Sequence, residues 1–498
     1  MITNKIFNLP YQINRVILPL ESNYAQFGDL LVTIGQVVKK NQGLTRSNIN
    51  SNSFVTLHAP ISGIISKIDY LPTLSSLGTL DKLTKVLSIE ISKVTESNDF
   101  INKDNIKPNI NILNPTDLLN IINQSGIIGL GGAGFPTSQK LANKNIEILI
   151  INAMECEPPI SVDNNLIINY SSNIISGIEI LNKILKPKKI VIAIKESYLD
   201  AINILRSVIN IKQSDILIQT FPSNYPNGYS KSLIKLVTNK ELGENKHGSD
   251  YGVICLNPAT VYAIEQAVNY NQPLTDRLVT ISGDLIHTPG NYILPIGTCI
   301  KNIIDAFNID INSSFNIRIG GEYMGYELFN SNNKAHLDNI DYLNSISIEK
   351  TTQAISINNN QNKFIKKYSP CIKCGYCEDI CPMSLLPQQL YWFGQNVSQD
   401  KNLDILNDYN LNSCIECGLC DTVCPSNIPL TSIFKNLKTE VKYNYYKNNN
   451  AKLAKLRSDF KEKRNNDNNK KAANDNNIDK KSLLASALRL AKNKSLQK

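Results

Sequence analysis

Eight of the eleven cysteines fall into two runs of one pattern. The first is Cys371, Cys374, Cys377 and Cys381 followed by Pro382; the second is Cys414, Cys417, Cys420 and Cys424 followed by Pro425. Each reads C-x2-C-x2-C-x3-C-P, a spacing that holds [4Fe–4S] cubanes. A cubane takes one thiolate per iron. Three close cysteines wrap three irons within one loop, and where two runs share a chain the fourth cysteine of each ligates the other cluster. Cluster one is therefore assigned to Cys371, Cys374, Cys377 and Cys424, and cluster two to Cys381, Cys414, Cys417 and Cys420. Crossed ligation sets the two cubanes side by side, a two-step path for single electrons. A structural zinc shell closes with four ligands and needs no proline after the fourth cysteine of each run. No apolar leader is read at the N-terminus, so a reducing compartment is expected and disulfides fit poorly.

A second stretch, Gly129-Leu130-Gly131-Gly132-Ala133-Gly134-Phe135-Pro136-Thr137, holds four glycines in six residues. Such a run costs backbone entropy. It lets amide groups approach a phosphate or flat ring; a tight turn between helices would use the same residues. It matches neither G-x-G-x-x-G nor the phosphate-binding P-loop. Downstream, Asn152-Ala153-Met154-Glu155-Cys156-Glu157-Pro158 follows a buried-strand run, and ligands bind at the carboxyl ends of strands in open α/β sheets. Asn152 both donates and accepts. Glu155 and Glu157 share a face of an extended chain, or stand in an exposed acidic loop. Cys156 between them fits packing as well as reactivity.

The elements that must position these residues are read from periodicity. Residues 1–100 carry short β-type runs, Val16–Pro19, Leu30–Thr33 and Ile64–Ile68, around His58-Ala59-Pro60-Ile61-Ser62-Gly63, the turn of a lipoyl-like barrel-sandwich without a carrier lysine. Residues 115–265 alternate helix and strand patterns, with strands at Ile146–Ile151 and Ile190–Ile194 and a helix over Ala259–Val268. The chain returns to β over 274–330, and 356–363 reads as an Asn-rich connector. No run reaches the ~18 apolar residues of a membrane-spanning helix. The net charge of +9 belongs to the end: residues 441–498 hold sixteen Lys and Arg against five Asp and Glu, so the body before them is near neutral. That tail has too few apolar residues for a core and is expected to be a disordered basic tail. Its last stretch, Ser482–Ala491, also fits a basic amphipathic helix on anionic lipid or a partner. No folded nucleic-acid motif accompanies the charge, so no nucleic-acid partner is expected.

Glycine loop, E-C-E-P segment, β-rich segment and twin cysteine runs, in this order, resemble the C subunit of the Rnf electron transport complex (the RnfC/RsxC family) over residues 1–435. The resemblance implies a multidomain α+β protein: a barrel-sandwich (lipoyl-like) domain at 1–110, an α/β FMN/NADH-binding domain at 111–272, a soluble-ligand-binding β-grasp domain at 273–345, an α-helical twin [4Fe–4S] ferredoxin module at 360–435 and the tail at 436–498. Its flavin domain is similar to that of the NADH-oxidising subunit of respiratory complex I. From that relationship Gly129, Gly131, Gly132 and Gly134 would surround FMN, Lys140 would bind its phosphate and Phe135 would stack on a nucleotide ring. Asn152 and Glu155 would face the flavin, Glu157 the nicotinamide, and Asn257 and Thr260 a later flavin-contacting turn. Gly320-Gly321-Glu322-Tyr323-Met324-Gly325 resembles the family's G-G-P-M-M-G turn. The family's Y-P-x-G-G-E-K is Tyr225-Pro226-Asn227-Gly228-Tyr229-Ser230-Lys231 here, so Ser230 stands where a Glu is usual.

The implied activity is that of one part of an ion-translocating NAD:ferredoxin oxidoreductase, a translocase. It would carry electrons between NADH and ferredoxin through FMN and two [4Fe–4S] clusters. No residue is singled out as catalytic. The implied partners are the other members of the membrane complex (RnfA, RnfB, RnfD, RnfE and RnfG) and a soluble or subunit-borne ferredoxin. The implied location is peripheral, on the cytoplasmic face of the bacterial inner membrane. A flavin and Fe–S corrin (cobalamin) reductase shares the same plan, and Ser230 raises a further alternative, a docking redox subunit without NADH chemistry.

Overall fold

Runs of branched apolar residues fix the sheets, and the helices between them carry the matching faces. The computed structural model describes residues 4–21, 26–46, 54–73, 85–93, 112–143, 145–243, 246–311, 313–330, 343–359, 368–395 and 400–495. The N-terminal unit is built from β1 (Ile6–Asn8), β2 (Arg15–Pro19), β3 (Gln26–Phe27), β4 (Asp29–Leu30), β5 (Val37–Val38), β6 (Thr45–Arg46), β7 (Phe54–Val55), β8 (Gly63–Pro72) and β9 (Lys85–Ser92). Its main sheet is antiparallel in the order β2-β9-β8-β5, with the pairs β3–β7 and β4–β6 beside it.

The next unit starts with α1 (Pro115–Gln124), whose Asn114 and Asp117 form a reciprocal capping box, and with the short α2 (Thr137–Leu141). Four parallel strands follow, β10 (Ile148–Ala153), β11 (Lys189–Lys195), β12 (Leu217–Phe221) and β13 (Val253–Leu256), in the order β12-β11-β10-β13. They are connected through α3 (Val162–Leu185), α4 (Leu199–Lys212) and α5 (Ser230–Thr238), and α6 (Pro258–Tyr270) comes after β13. Leu149 and Ile151 join an apolar cluster with α3, α4 and α6, while Ile150 joins Leu233 and Ile234 of α5 on the other face. Both faces are covered, as the unbroken Ile-Leu-Ile-Ile run requires.

The third unit is a mixed six-stranded sheet in the order β1-β15-β14-β18-β16-β17. It comprises β14 (Asp276–Ser282), β15 (Gly290–Pro295), β16 (Phe315–Ile319), β17 (Tyr326–Asn330) and β18 (Ala354–Asn359) around α7 (Ile300–Ala306). The boundaries expected from sequence are corrected at both ends. β18 lies beyond 345 yet pairs with β14 and β16, and β1 from the first unit pairs with β15. The Asn-rich connector expected at 356–363 begins inside β18, because Ile355 and Ile357 alternate into the core between polar residues.

The last unit has only helical elements among its described residues: α8 (Tyr376–Asp379), α9 (Pro387–Gly394), α10 (Asp400–Asp408), α11 (Leu419–Thr422) and α12 (Leu430–Ser495). Leu390, Leu406, Leu411, Ile428, Phe434 and Leu437 form its core. The tail expected as disordered is corrected as well: α12 continues to Ser495, with 451–466 and 480–490 exposed. Over these two stretches it is held by backbone bonds and helix-forming Lys, Arg, Ala and Leu rather than by packing. Among the described residues no helix is long and apolar enough to cross a membrane.

Candidate functional site

The strand order β12-β11-β10-β13 reverses at β10, so the crevice beyond the carboxyl ends of β10 and β13 is a topological switch point, where open α/β sheets bind ligands. The residues expected to matter gather there. Asn257 follows β13 and caps α6, its side-chain oxygen accepting from the Ala259 amide at 2.9 Å. Its amide nitrogen donates to Asp163 at 2.7 Å. The glycine loop crosses in front of it: a Cβ on Gly131 would come within 3.3 Å of the Asn257 side chain. Gly132 and Gly134 adopt positive φ, +102° and +73°, which favours glycine. Gly129 donates to the Phe135 carbonyl and accepts from the Gly134 amide, which closes the loop on itself. The tip is open: Gly131, Gly132 and Ala133 are exposed, and Phe135 is 41% exposed.

A polar lattice fixes the base of the loop. The Leu130 amide donates to the Thr260 hydroxyl at 2.9 Å. The Leu130 carbonyl accepts from Arg277 at 2.6 Å and from Gln353 at 3.0 Å. Burial pulls Arg277 down to about 10 against the opposing pull of Asp163 and Glu155. Burial and the neighbouring Glu155 charge raise Asp163 well above the aspartate range, and one of its oxygens is buried without a hydrogen-bond partner. Glu155 is held against the N-terminus of α3, accepting from the amides of Asp163 and Asn164 at 3.0 and 3.4 Å, and burial raises it too. Arg277, Asp163 and Gln353 were not singled out from sequence. Arg277 alone leaves a local trace, a cation immediately before the apolar strand run Leu278–Ile281.

The other expected residues lie on the flanks. Lys140, at the end of α2, donates to the Cys255 carbonyl at 2.6 Å, and burial lowers its pKa. Ser230 opens α5, and burial pushes the Cys255 thiol up. Asn152 uses both polar atoms on backbone, donating to Gly228 at 2.8 Å and accepting from Met154 at 3.1 Å. Glu157 reaches the third unit: it accepts from the Tyr323 and Met324 amides, at 2.9 and 2.5 Å, in the turn between β16 and β17. Burial raises the half-buried Cys156 thiol, as suits a packed, protonated side chain.

The cysteine runs form two constellations. Cys371, Cys374 and Cys377 line one cavity together with Cys424 from the other run. Cys417 lies in the fields of Cys381 and Asp421, and Cys420 in those of Cys414 and Cys417. The loops repeat each other: Lys373 and Glu416, Gly375 and Gly418, and Ser384 and Asn427 are matching positions, all at positive φ. Such turns aim consecutive amides inward, as anion-binding nests do. Amides of Leu385, Glu416 and Ile428 donate to the sulfurs of Cys381, Cys414 and Cys424, each at 3.4 Å. Burial pushes the free Cys414 thiol up to about 11. Among the described residues no three such side chains converge on one ion.

Residues 122–266 match the Nuo51 FMN-binding domain, and residues 370–428 match the 4Fe-4S dicluster domain. The chain is 38% identical over 434 residues to the C subunit of the ion-translocating oxidoreductase complex of Edwardsiella ictaluri, covering 86% of this chain and 51% of that protein. It is 35% identical to the same protein of Pectobacterium atrosepticum, covering 92% and 62%. The counterpart in Buchnera aphidicola subsp. Baizongia pistaciae is 36% identical, with 88% of this chain and 83% of the relative covered. The chain thus spans half to three-fifths of the length of the first two relatives. By its identity to these proteins over most of its own length, the chain belongs to the family formed by the C subunit of the ion-translocating oxidoreductase complex.

Proposed function

We propose that this chain is the electron-entry subunit of an ion-translocating NAD:ferredoxin oxidoreductase, with FMN at the switch point and two [4Fe–4S] clusters in the helical module. The observation that carries the reading is the pairing of an open glycine loop at that crevice with two four-cysteine constellations in the unit docked beside it. The residues present fit the flavin group. The loop tip carries no side chain larger than the Ala133 methyl, Asp163 beside Asn257 has a buried oxygen without a partner, and the Lys140 amine stands on the flank.

FMN, when bound, exchanges a two-electron hydride donor for one-electron carriers. The protein supplies place and field. Gly129, Gly131, Gly132 and Gly134 would lie against the ring and phosphate, and Lys140 would offer the phosphate its charge. Phe135 would cover a nucleotide ring. Asn257 and Thr260 would hold the loop, with Asn152 and Glu155 setting the edge of the crevice. Glu157, expected on the nicotinamide side, is better read as the clamp on the 320–325 turn. Cluster one would take Cys371, Cys374, Cys377 and Cys424; cluster two Cys381, Cys414, Cys417 and Cys420. The partners would be the membrane subunits and a ferredoxin. The domain ranges would follow those given above, with 273–345 extended to 359, and the location would be the cytoplasmic membrane face.

Anaerobic titration with NADH, after iron, sulfide and flavin are quantified, tests this. Flavin bleaching followed by a reduced-cubane EPR signal is expected. Protein with about eight irons and bound FMN that ignores NADH would overturn the NADH assignment. It would favour instead a docking redox subunit, the reading suggested by Ser230.

A further inference from the structure

Among the described residues, the helical module touches the α/β unit at one hydrogen-bonded junction, and that junction involves one of the two cysteine runs. The Tyr225 hydroxyl donates to the Cys417 carbonyl at 2.6 Å. Its ring packs on Tyr323 with centroids 4.8 Å apart. The Tyr323 carbonyl in turn backs the residue after Cys417: a Cβ on Gly418 would fall 2.6 Å from it. Lys435 of α12 donates to the Met324 carbonyl at 2.9 Å, and Glu157 clamps the same turn from the α/β side.

The loop that carries Tyr225 is fixed to the end of β10. Gly228 packs so closely that a Cβ there would lie 2.2 Å from the Met154 carbonyl, and its own carbonyl accepts from Asn152. Two hydrogen bonds and a short piece of backbone therefore join the switch-point crevice to Cys417. Cys371 and Cys374 are exposed, whereas Cys417, at the junction, is buried.

The geometry points to Tyr225 as a positioning residue that couples the crevice to cluster two, making Cys414, Cys417, Cys420 and Cys381 the first cluster to receive an electron and cluster one the second. This rests on the flavin and cluster reading above. Each transfer oxidises the flavin-side donor by one electron and reduces cluster two by one. No bond is made or broken, and Tyr225 keeps its proton. Its hydrogen bond places a positive dipole end beside a cluster ligand, which favours the reduced, more negative cluster and raises its potential.

The test uses the full holoprotein carrying Tyr225→Phe, which keeps the ring and removes the bond. EPR-monitored dithionite titration should show cluster two shifted to lower potential and cluster one unmoved. The Cys374→Ser variant, depleted of cluster one, identifies the signals. In stopped flow with NADH, the step from reduced flavin to the first cluster should slow several-fold, with flavin bleaching in the same trace as the reference. In Cys417→Ser protein, flavin should bleach while cluster one stays oxidised on that timescale. A shift of cluster one alone, of neither cluster, or wild-type reduction of cluster one without cluster two would overturn the proposal. If wild-type flavin ignores NADH, the NADH assignment fails instead, and the dithionite potentials still decide the role of Tyr225.

Discussion

Arg277 brings a guanidinium into the interior, where it is 2% exposed. It donates to the carbonyls of Leu130 and Thr352 and stands in the fields of Asp163 and Glu155. Removing one partner of a buried charge set leaves the others uncompensated, at a cost of about 3–5 kcal/mol. Arg277→Leu is therefore expected to lower stability by about 3 kcal/mol and to release flavin, read as an earlier denaturation midpoint together with flavin lost on gel filtration. Arg277→Lys keeps the charge but not the planar fork that reaches two carbonyls, so an intermediate loss is expected. Asp163 adds a pH dependence. Its raised pKa means that the folded chain keeps a proton which the unfolded chain has already released. Its contribution is thus complete in acid and is lost as pH rises through the raised value. Asp163→Asn should flatten that fall in a series of denaturant titrations, and an unchanged slope would reassign the fall to Glu155. The 4Fe-4S dicluster domain was legible because the spacing within each cysteine run is local. Arg277 and Leu130 are 147 residues apart, and no short-range pattern announces such a pair.

Elements meet at a second buried cation. Lys350 precedes β18 in the third unit, donates to the Gly126 carbonyl just past α1 at 2.7 Å, and lies 4.8 Å from the centroid of Phe27 in the first unit. A cation at a helix C-terminus is favoured by the exposed carbonyls there. Burial nevertheless pulls Lys350 down to about 7 from 10.5. His58, in the turn read from sequence as that of a barrel-sandwich, is pushed down to about 3 from 6.5 by burial and then by the Lys350 charge. In both cases the unfolded chain holds the proton more tightly, so stability rises with pH across each interval. Lys350→Met should remove the rise between about 7 and 10.5 and soften the rise between about 3 and 6.5. Guanidinium titrations of the two proteins at matched pH check this; parallel curves would place the rise elsewhere. The α/β elements were legible, since Ile148–Ala153 and Pro258–Tyr270 fall within a few residues of the runs read from the sequence. β1 and β18 were not. A three-residue strand has no period to read, and the polar alternation of β18 merges with the Asn-rich stretch after it.

At the scale of the whole molecule, charge and packing are separated along the chain. The first 440 residues are near neutral, and the net charge of +9 is owed to the residues after them. Composition announced that asymmetry but misjudged the shape: a polar segment without a core was expected to be disordered, yet its backbone continues the helix that begins in the cluster module. The reason lies in where α12 is anchored. Leu430, Phe434 and Leu437 are buried in the module's core, and Lys438 donates to the Cys414 carbonyl and to Glu416 at 2.5 and 2.8 Å. Beyond this, Leu453, Leu456, Phe460, Leu483, Leu484 and Leu488 are all at least 50% exposed. Helix nucleation is the unfavourable step and propagation the easy one, so a packed first segment is enough to start a helix that its own residues extend. A stop after residue 441 should therefore leave iron content and melting temperature as in the full chain, while the protein changes from binding a cation-exchange matrix to passing through it. A stop after residue 429 removes Leu430, Phe434 and the Lys438 contact together and should abolish cluster retention, measured as iron per chain after desalting. Iron lost from the first truncation would mean instead that the exposed length of α12 supports the module through contacts beyond its anchor.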